Sequence, residues 1–432
     1  MHILQPILGL FVFTGICMLF STRLKAIRWR TVGGAIALQF ILALLILRAP
    51  YVEGAFAVIA EGFVRVIGYT DYGSEFPFGS FVMGGEMAPE LINFAFRILP
   101  TIVFFSAFSA LLHHLGILGL FIKGFAWLMH RTLKLSGTES LSAASNVFLG
   151  QTESPLLIRP YLDKMTKSEL MCVMTGGMAT IAGSVFAAFV GFLGGDDPVQ
   201  QAYFATHLLT ASIISAPAAI ATSKLLVPEV DKKESEIENV KLEKSTATNV
   251  LEALSTGTRD GLMLAANVGV MLLVFTALVY FFNDILGWMG GWTGLNDAIS
   301  NVPGSRFDSL SLQYILGYVG APLAWLTGVP SQDVLLVGQL LGEKTVINEF
   351  YAYVTMGGMK SDGLFHSERS VLIATYVLCG FANFASIGIQ VGGIGVLAPS
   401  RRKDLARLGF RALLGGTMAC LFTACVVSLI AP

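Results

Sequence analysis

Residues 146–155 read Asn-Val-Phe-Leu-Gly-Gln-Thr-Glu-Ser-Pro, an amide, a hydroxyl and a carboxylate side by side among apolar neighbours. A carboxylate at membrane depth is expensive and needs a partner or a water-filled cavity. If the flanks are embedded in a bilayer, this stretch therefore constrains every fold open to the chain. Composition says that they are: 54% of the 432 residues are hydrophobic and 13% charged, with a mean hydropathy of +0.70. That charged share is about half of what a soluble domain carries. The apolar arms beside Gly150–Glu153 are each roughly ten residues, about 15 Å as helix, or half a bilayer. Lys134 flanks one end, and Arg159, Lys164 and Lys167 flank the other. Two half-length arms with basic ends on the same side predict a re-entrant hairpin whose tip reaches the midplane. Asn146 and Pro155 mark where its helices stop. Such a tip is non-helical only where it is buried in protein or lines a cavity.

The other apolar segments supply the surroundings. Ile3–Phe20 and Val32–Leu47 enclose Arg23, Lys25, Arg28 and Arg30, so the loop between them is cytoplasmic and the N-terminus lies outside. No basic residue precedes the first segment, which reads as a retained helix and not a signal peptide. Residues 50–95 read as an external loop with surface helices. Phe96–Leu115 is a third span, and the basic, amphipathic stretch from His113 to Gly137 is a helix lying in the interface. A span over Leu170–Phe192 is interrupted at Thr180–Ser184. Residues 203–226 return inside with a kink at Pro217, 228–244 form a solvated cytoplasmic linker, and Asn267–Phe282 crosses outward. A second hairpin is expected over Pro322–Met356, around Glu343–Phe350, with external flanks. A span over Val371–Leu397, broken near Asn383–Gly388, follows it. Arg401, Arg402, Lys403, Arg407 and Arg411 mark the inside, and a last span ending at Ile430 leaves the C-terminus outside.

The second half thus repeats the plan of the first with the opposite orientation. Gly177-Met178-Ala179-Thr180-Ile181-Ala182 matches Gly380-Phe381-Ala382-Asn383-Phe384-Ala385 as G-x-A-x-x-A, each after a Ser-Glu pair, Ser168-Glu169 and Ser367-Glu368. The fold class is an all-α polytopic membrane protein: about eight transmembrane helices, two re-entrant hairpins in an inverted repeat, and two broken helices. The chain divides into N-terminal helices contributing mainly to a scaffold (1–115) and an interfacial helix with the first hairpin and repeat (116–226). A linker, scaffold helix and external segment (227–320) then precede the second hairpin and repeat (321–432).

Four polar clusters converge in this plan, the two hairpin tips and the two breaks, as at the midplane sites of secondary transporters. Gln151, Thr152 and Glu153 offer the mixed donors and acceptors that read a heterocycle edge. Glu349, Asn383 and Ser386 suit vicinal hydroxyls, and Phe381 and Val185 supply apolar walls for a flat ring. Asn146, with carbonyls freed at Leu149 and at the Thr180-Ile181 break, suits a small hard cation such as sodium. Other functions find less support. The net charge of −1 offers no nucleic-acid surface. The five cysteines sit in apolar runs without C-x-x-C spacing, and the six histidines show no metal-ligand spacing. Ser154 has no histidine nearby to act as its base in a hydrolase. Carboxylates at both tips disfavour an anionic solute, although a carrier for another small polar solute would share the architecture.

These residues resemble a known family. Gly150–Pro155, Ala179–Val185, Asn348-Glu349-Phe350, Phe381–Gly388, Pro322-Leu323-Ala324-Trp325 and Ser367-Glu368-Arg369 are similar, in order and over nearly the whole chain, to the motifs of the concentrative nucleoside transporters. The short length and termini are like those of a bacterial member. The resemblance implies a homotrimer in the cytoplasmic (inner) membrane, each protomer carrying a mobile, elevator-type transport domain on a trimerisation scaffold. It implies import of nucleosides such as uridine by symport with sodium, or with protons as in some members, and no enzymatic activity or organic cofactor. Gln151, Thr152, Glu153 and Val185 would face the nucleobase, and Glu349, Phe381, Asn383 and Ser386 the ribose. Asn146, Leu149, Thr180 and Ile181 would hold sodium.

Overall fold

The computed structural model describes residues 3–82, 96, 98–195, 197–230, 247–301 and 306–431, and every described element is helical. In hydrocarbon a helix satisfies its own backbone, so long apolar runs fold this way by default. The first elements are α1 (Leu4–Leu19), α2 (Trp29–Arg48) and α3 (Pro50–Val82). In α3 the surface helices expected within the external segment 50–95 are one long helix of 33 residues. Its inward positions, Phe56, Ala60, Phe63, Ile67 and Thr70, recur every three or four residues, while Glu53, Glu61 and Arg65 face out. Scattered charges and glycines lower its hydropathy and hide a helical period. Residues 83–95 lie outside the described set, as does most of the expected linker (231–246).

α4 (Leu99–His114) meets α5 (Ile117–Leu133) at 73°, with Gly116 at φ 78° making the corner, so α5 turns away from the span as expected of an interfacial helix. The first hairpin has a ten-residue entering arm, α6 (Gly137–Asn146), capped by Ser136 and Glu139 in a capping box. Its return arm is not a second ten-residue helix. α7 (Ser154–Leu157) gives way to a 3-10 turn over Arg159–Lys164. Pro160 explains the difference, because it has no N–H to donate to the preceding turn and disfavours helical backbone at Arg159.

α8 (Lys167–Ala179) and α9 (Gly183–Gly194) form the first broken span, and α10 (Pro198–Leu226) returns with Pro217 inside it. α11 (Val250–Thr293) is far longer than the crossing expected from Asn267, with 44 residues, or about 66 Å. A short α12 (Leu295–Ser300) follows. The second hairpin is α14 (Val334–Val346) and α15 (Glu349–Ser361), with its tip at Ile347-Asn348. Pro322, expected in its first arm, belongs instead to a separate helix, α13 (Leu312–Leu326). α13 packs backbone to backbone on α14, where a Cβ on Gly320 would lie 2.2 Å from the Gly338 carbonyl oxygen. The second broken span is α16 (Glu368–Leu378) and α17 (Phe384–Leu397). Its break covers Cys379–Asn383, several residues before the expected place, because Asn383 caps α17 and draws Ser386 to Gly388 into helix. α18 (Arg402–Ile430) closes the chain. Arg48 and Arg369 donate to carbonyls of Ile430 and Ser428 at its C-terminal end, where cations are favoured. Among the described residues α2, α8–α9, α10, α11 and α18 are long and apolar enough to cross a membrane, and α4 with α5 makes a bent sixth candidate; the eight expected spans are reached only by adding the shorter α1 and the broken pair α16–α17.

The inverted repeat is present in a different register from the motif match. The helix caps Thr166 and Ser367 are 201 residues apart (166 to 367), and the second halves restart with the same offset (183 to 384). The G-x-A-x-x-A match has an offset of 203 (177 to 380), and its glycines do different work. Gly177 lies under Gln151, whereas Gly380 has φ +108° inside the break. The Ser-Glu pairs are likewise not equivalent, since Ser367 is a cap and Ser168 lies in the first turn of α8. In the 201 register Ala179 corresponds to Gly380, and these two touch: a Cβ on Gly380 would sit 2.7 Å from the Ala179 carbonyl. The pseudo-two-fold axis therefore passes between the two breaks.

The N-terminal block divides in its packing. α1 and α2 lie on α10 and α18, whereas α4 lies along α11. Small residues allow that last contact. Added Cβ atoms on Gly257 and Gly261 would come within 2.8 Å of the Cα atoms of Ala107 and Val103. Gly261→Val is expected to destabilise the α4–α11 pair by about 1–3 kcal/mol, since backbone must shift to admit it. Thermal unfolding of purified protein in detergent checks this, and an unchanged midpoint would contradict the packing.

Candidate substrate and ion site

A cavity of about 790 Å³ lies between the hairpin tips, the breaks and α11. All eight side chains expected to contact substrate line it: Gln151, Thr152, Glu153, Val185, Glu349, Phe381, Asn383 and Ser386. Thr152 and Glu153 are exposed, and the cavity wall includes both, while the other six are largely covered. The hydrogen bonds show how these groups are held. Asn348 caps α15 by accepting from Tyr351 N–H (2.9 Å), which sets Glu349 at the first helical position. Asn383 caps α17 through Oδ1, accepting from Ser386 N–H (2.8 Å), and its Nδ2 donates to Glu349 Oε2 (2.6 Å). One residue thus fixes the second tip to the second break.

The first tip is tied across the repeat. Gln151 Nε2 donates to Ser386 Oγ (3.1 Å), and Gln390 Nε2 donates to both Gln151 Oε1 (3.1 Å) and the Met174 carbonyl (3.0 Å). Glu153 Oε2 accepts from Gly150 N–H (3.2 Å). Among the described residues no Lys or Arg nitrogen lies within 4 Å of Glu153 or Glu349. Neither tip carboxylate is part of an ion pair there, so both keep acceptor capacity.

The four expected ion ligands cluster beside this cavity. Asn146 is 1% exposed, and neither polar atom of its amide has a hydrogen-bond partner among the described residues. Buried polar groups are ordinarily paired, so both polar atoms of this amide are available to a ligand. It sits against Gly176, where a Cβ would lie 2.7 Å from Nδ2, and Thr180 Oγ1 donates to that same residue's carbonyl (2.9 Å). The neighbouring tip carbonyls are used: Val147 accepts from Ser212 Oγ (2.8 Å) and Phe148 from Gly183 N–H (3.0 Å). Those of Leu149, Thr180 and Ile181 accept no hydrogen bond among the described residues. The donor set is oxygen only and carries no carboxylate, which fits a hard monovalent cation.

Several lining residues escaped the sequence reading. Arg259, Asp260 and Asn267 face the cavity from α11, which begins 17 residues before the expected crossing (250 against 267). Gln390, one turn beyond Ser386 on α17, was legible as a lone amide in an apolar helix. A second cavity of about 400 Å³ shares Ser106, Glu153, Ser184 and Asp260 with the first and extends towards Arg159 and Ala247.

Models of the Na+ dependent nucleoside transporter C-terminus and N-terminus match residues 207–428 and 8–81, and a nucleoside recognition (Gate) model matches 95–196. The chain belongs to the sodium-dependent nucleoside transporter family. An uncharacterized transporter of Haemophilus influenzae is 40% identical over 99% of this chain and 98% of its own length. Rat solute carrier family 28 member 3 is 41% identical over 98% of the chain, which spans 58% of that relative's length. Human sodium/nucleoside cotransporter 1 is 39% identical over 98% of the chain and 63% of its own length. Among solved structures, CNTnw in an inward-facing substrate-bound state is similar with a TM-score of 0.86 at 37% identity, covering 100% of this chain and 98% of that one. A CNTnw variant in an intermediate state gives 0.88 at 38% identity over all of both chains. The family is one of membrane transporters, not enzymes, and the fold is that of the CNTnw structures.

In this family member Gln390 is the link between the first tip and α8. Gln390→Leu removes both donated bonds; the Met174 carbonyl keeps its intrahelical partner, but Gln151 Oε1 loses its donor, a cost of about 1–3 kcal/mol for that buried group. A lowered melting temperature is the expected result, and a melt equal to that of the parent protein would contradict the role given to Gln390.

Proposed function

We propose that this chain is a sodium-coupled nucleoside importer of a bacterial cytoplasmic membrane, working by alternating access as an elevator. The observation that carries the proposal is the convergence of both hairpin tips and both breaks on one cavity, with Asn146, unpartnered among the described residues, five residues before Gln151. Gln151, Thr152, Glu153 and Val185 take the nucleobase. Glu349, Asn383, Ser386 and Phe381 take the ribose, a carboxylate accepting from its hydroxyls. Asn146, Thr180 and the carbonyls of Leu149 and Ile181 take sodium. On the orientation read from the basic loops, the second cavity is the cytoplasmic way out, passing Arg159. α4 and α11 form the scaffold of a homotrimer, and the apolar residues that α11 exposes, among them Leu273, Phe281 and Trp288, supply its contacts with neighbouring copies or lipid.

Sodium acts in this reading through the first hairpin. The ion draws Asn146 and the Leu149 carbonyl towards the Thr180-Ile181 break and so sets the backbone that presents Gln151 to Glu153. A ligand shifts an equilibrium only by its differential affinity, so sodium tightens nucleoside binding and nucleoside tightens sodium binding by the same factor. In proteoliposomes an inward sodium gradient is expected to drive labelled uridine uptake, and a proton gradient without sodium is not. Uptake that follows protons alone would sink the coupling assignment.

Two substitutions divide the site. Asn146→Ala is expected to leave the fold intact and to weaken the sodium dependence of nucleoside affinity by about tenfold, the loss of one good ligand, as read by calorimetry at varied sodium. A free base is expected to bind more weakly than its nucleoside by about 1–3 kcal/mol, since Glu349 is left without its donors. Equal affinities would remove the ribose assignment.

A further inference from the structure

Lys344 stands in the last turn of α14, fully buried. Its ammonium donates to the Val377 carbonyl (2.9 Å) and the Cys379 carbonyl (3.4 Å), and Cys420 Sγ lies 3.3 Å away. Among the described residues no carboxylate lies within 4 Å of it. The adjacent Glu343 accepts from Gln339 Nε2 (2.8 Å) instead. A buried charge normally needs a partner. Here the partners are carbonyls at the C-terminal end of α16, where the helix dipole and unpaired acceptors favour a cation.

The register of the repeat gives this contact its meaning. Val377 is the counterpart of Gly176 at the same 201-residue offset (176 to 377), and Gly176 is where Asn146 of the first hairpin lies. In each repeat, then, a side chain from the end of the entering hairpin arm reaches the last turn of the helix before the break. In the first repeat that side chain is a neutral amide with both polar atoms unpartnered among the described residues. In the second it brings its own positive charge. The geometry points to Lys344 as a tethered counterpart of the coupling ion, its ammonium holding the second break as a bound cation holds the first.

The inference deepens the ion reading of Asn146 and rests on it. Its consequence is an asymmetric site. The break carrying Phe381 and Asn383 stays ordered in every ionic condition, while the Thr180–Ala182 break waits for a mobile ion. Lys344 is a positioning residue, since it acts on substrate through the break.

The test uses K344A and K344M in the full-length protein, with nucleoside affinity measured at constant sodium and ionic strength in methylammonium chloride or choline chloride. Both variants are expected to bind nucleoside about tenfold more weakly. Methylammonium, a detached copy of the missing group, is expected to restore K344A but not K344M, whose side chain fills the space. Where K344A is unstable, the same rescue is read as monodisperse yield when methylammonium is present during purification. Wild-type affinity in K344M would show that volume alone matters and overturn the proposal. So would a K344A whose binding, or yield, is the same in methylammonium and choline. Loss of sodium dependence in the wild type would refute the Asn146 reading, and the methylammonium comparison, made at fixed sodium, is read independently of it.

Discussion

A broken helix in a membrane leaves backbone groups that lipid cannot satisfy, and the arrangement of this protein follows from where those groups find partners. At the first break Phe148 accepts from Gly183 and Thr180 closes on Gly176, while the Leu149, Thr180 and Ile181 carbonyls find no donor among the described residues. At the second, Asn383 caps α17, and Lys344 takes the carbonyls of Val377 and Cys379. Neither hairpin tip is stable as an isolated loop at this depth. Each is held by the break it faces, and the space left between them is the cavity. The lining of the cavity and the satisfaction of the backbone thus fall to the same few residues.

Much of this was legible from residue types. The Gly150–Pro155 stretch, the Asn348-Glu349-Phe350 triplet and the Thr180 break stand out because polar groups in an apolar run are costly, and costly groups mark sites. The eight side chains expected at one site do line one cavity. What sequence alone did not yield depends on tertiary context. The unbroken length of α3 was hidden by its charges, whose helical spacing matters only once its inner face has something to pack against. The return arm of the first hairpin looked like a helix until Pro160 was weighed. The second break lay earlier than its polar residues suggested, because Asn383 is used as a cap. Repeat register was misread by two residues, since the glycines that match by letter answer to different local demands.

Gln390, Asp260 and Arg259 illustrate a separate limit. A lone amide or charge on a helix says nothing of what it faces until the helix is placed. Gln390 gains its meaning from Gln151, 239 residues away in sequence. Asp260 and Arg259 gain theirs from the length of α11, which carries them down beside the first tip.

The contact between Ala179 and Gly380 carries one more consequence. Away from that contact the two breaks meet different neighbours, an amide against Gly176 in one and an ammonium against Val377 in the other. On the axis a position meets its own counterpart, so there is room for two backbones and little else. A change at either residue is felt by both halves of the cavity at once. A substitution off the axis is confined to one half.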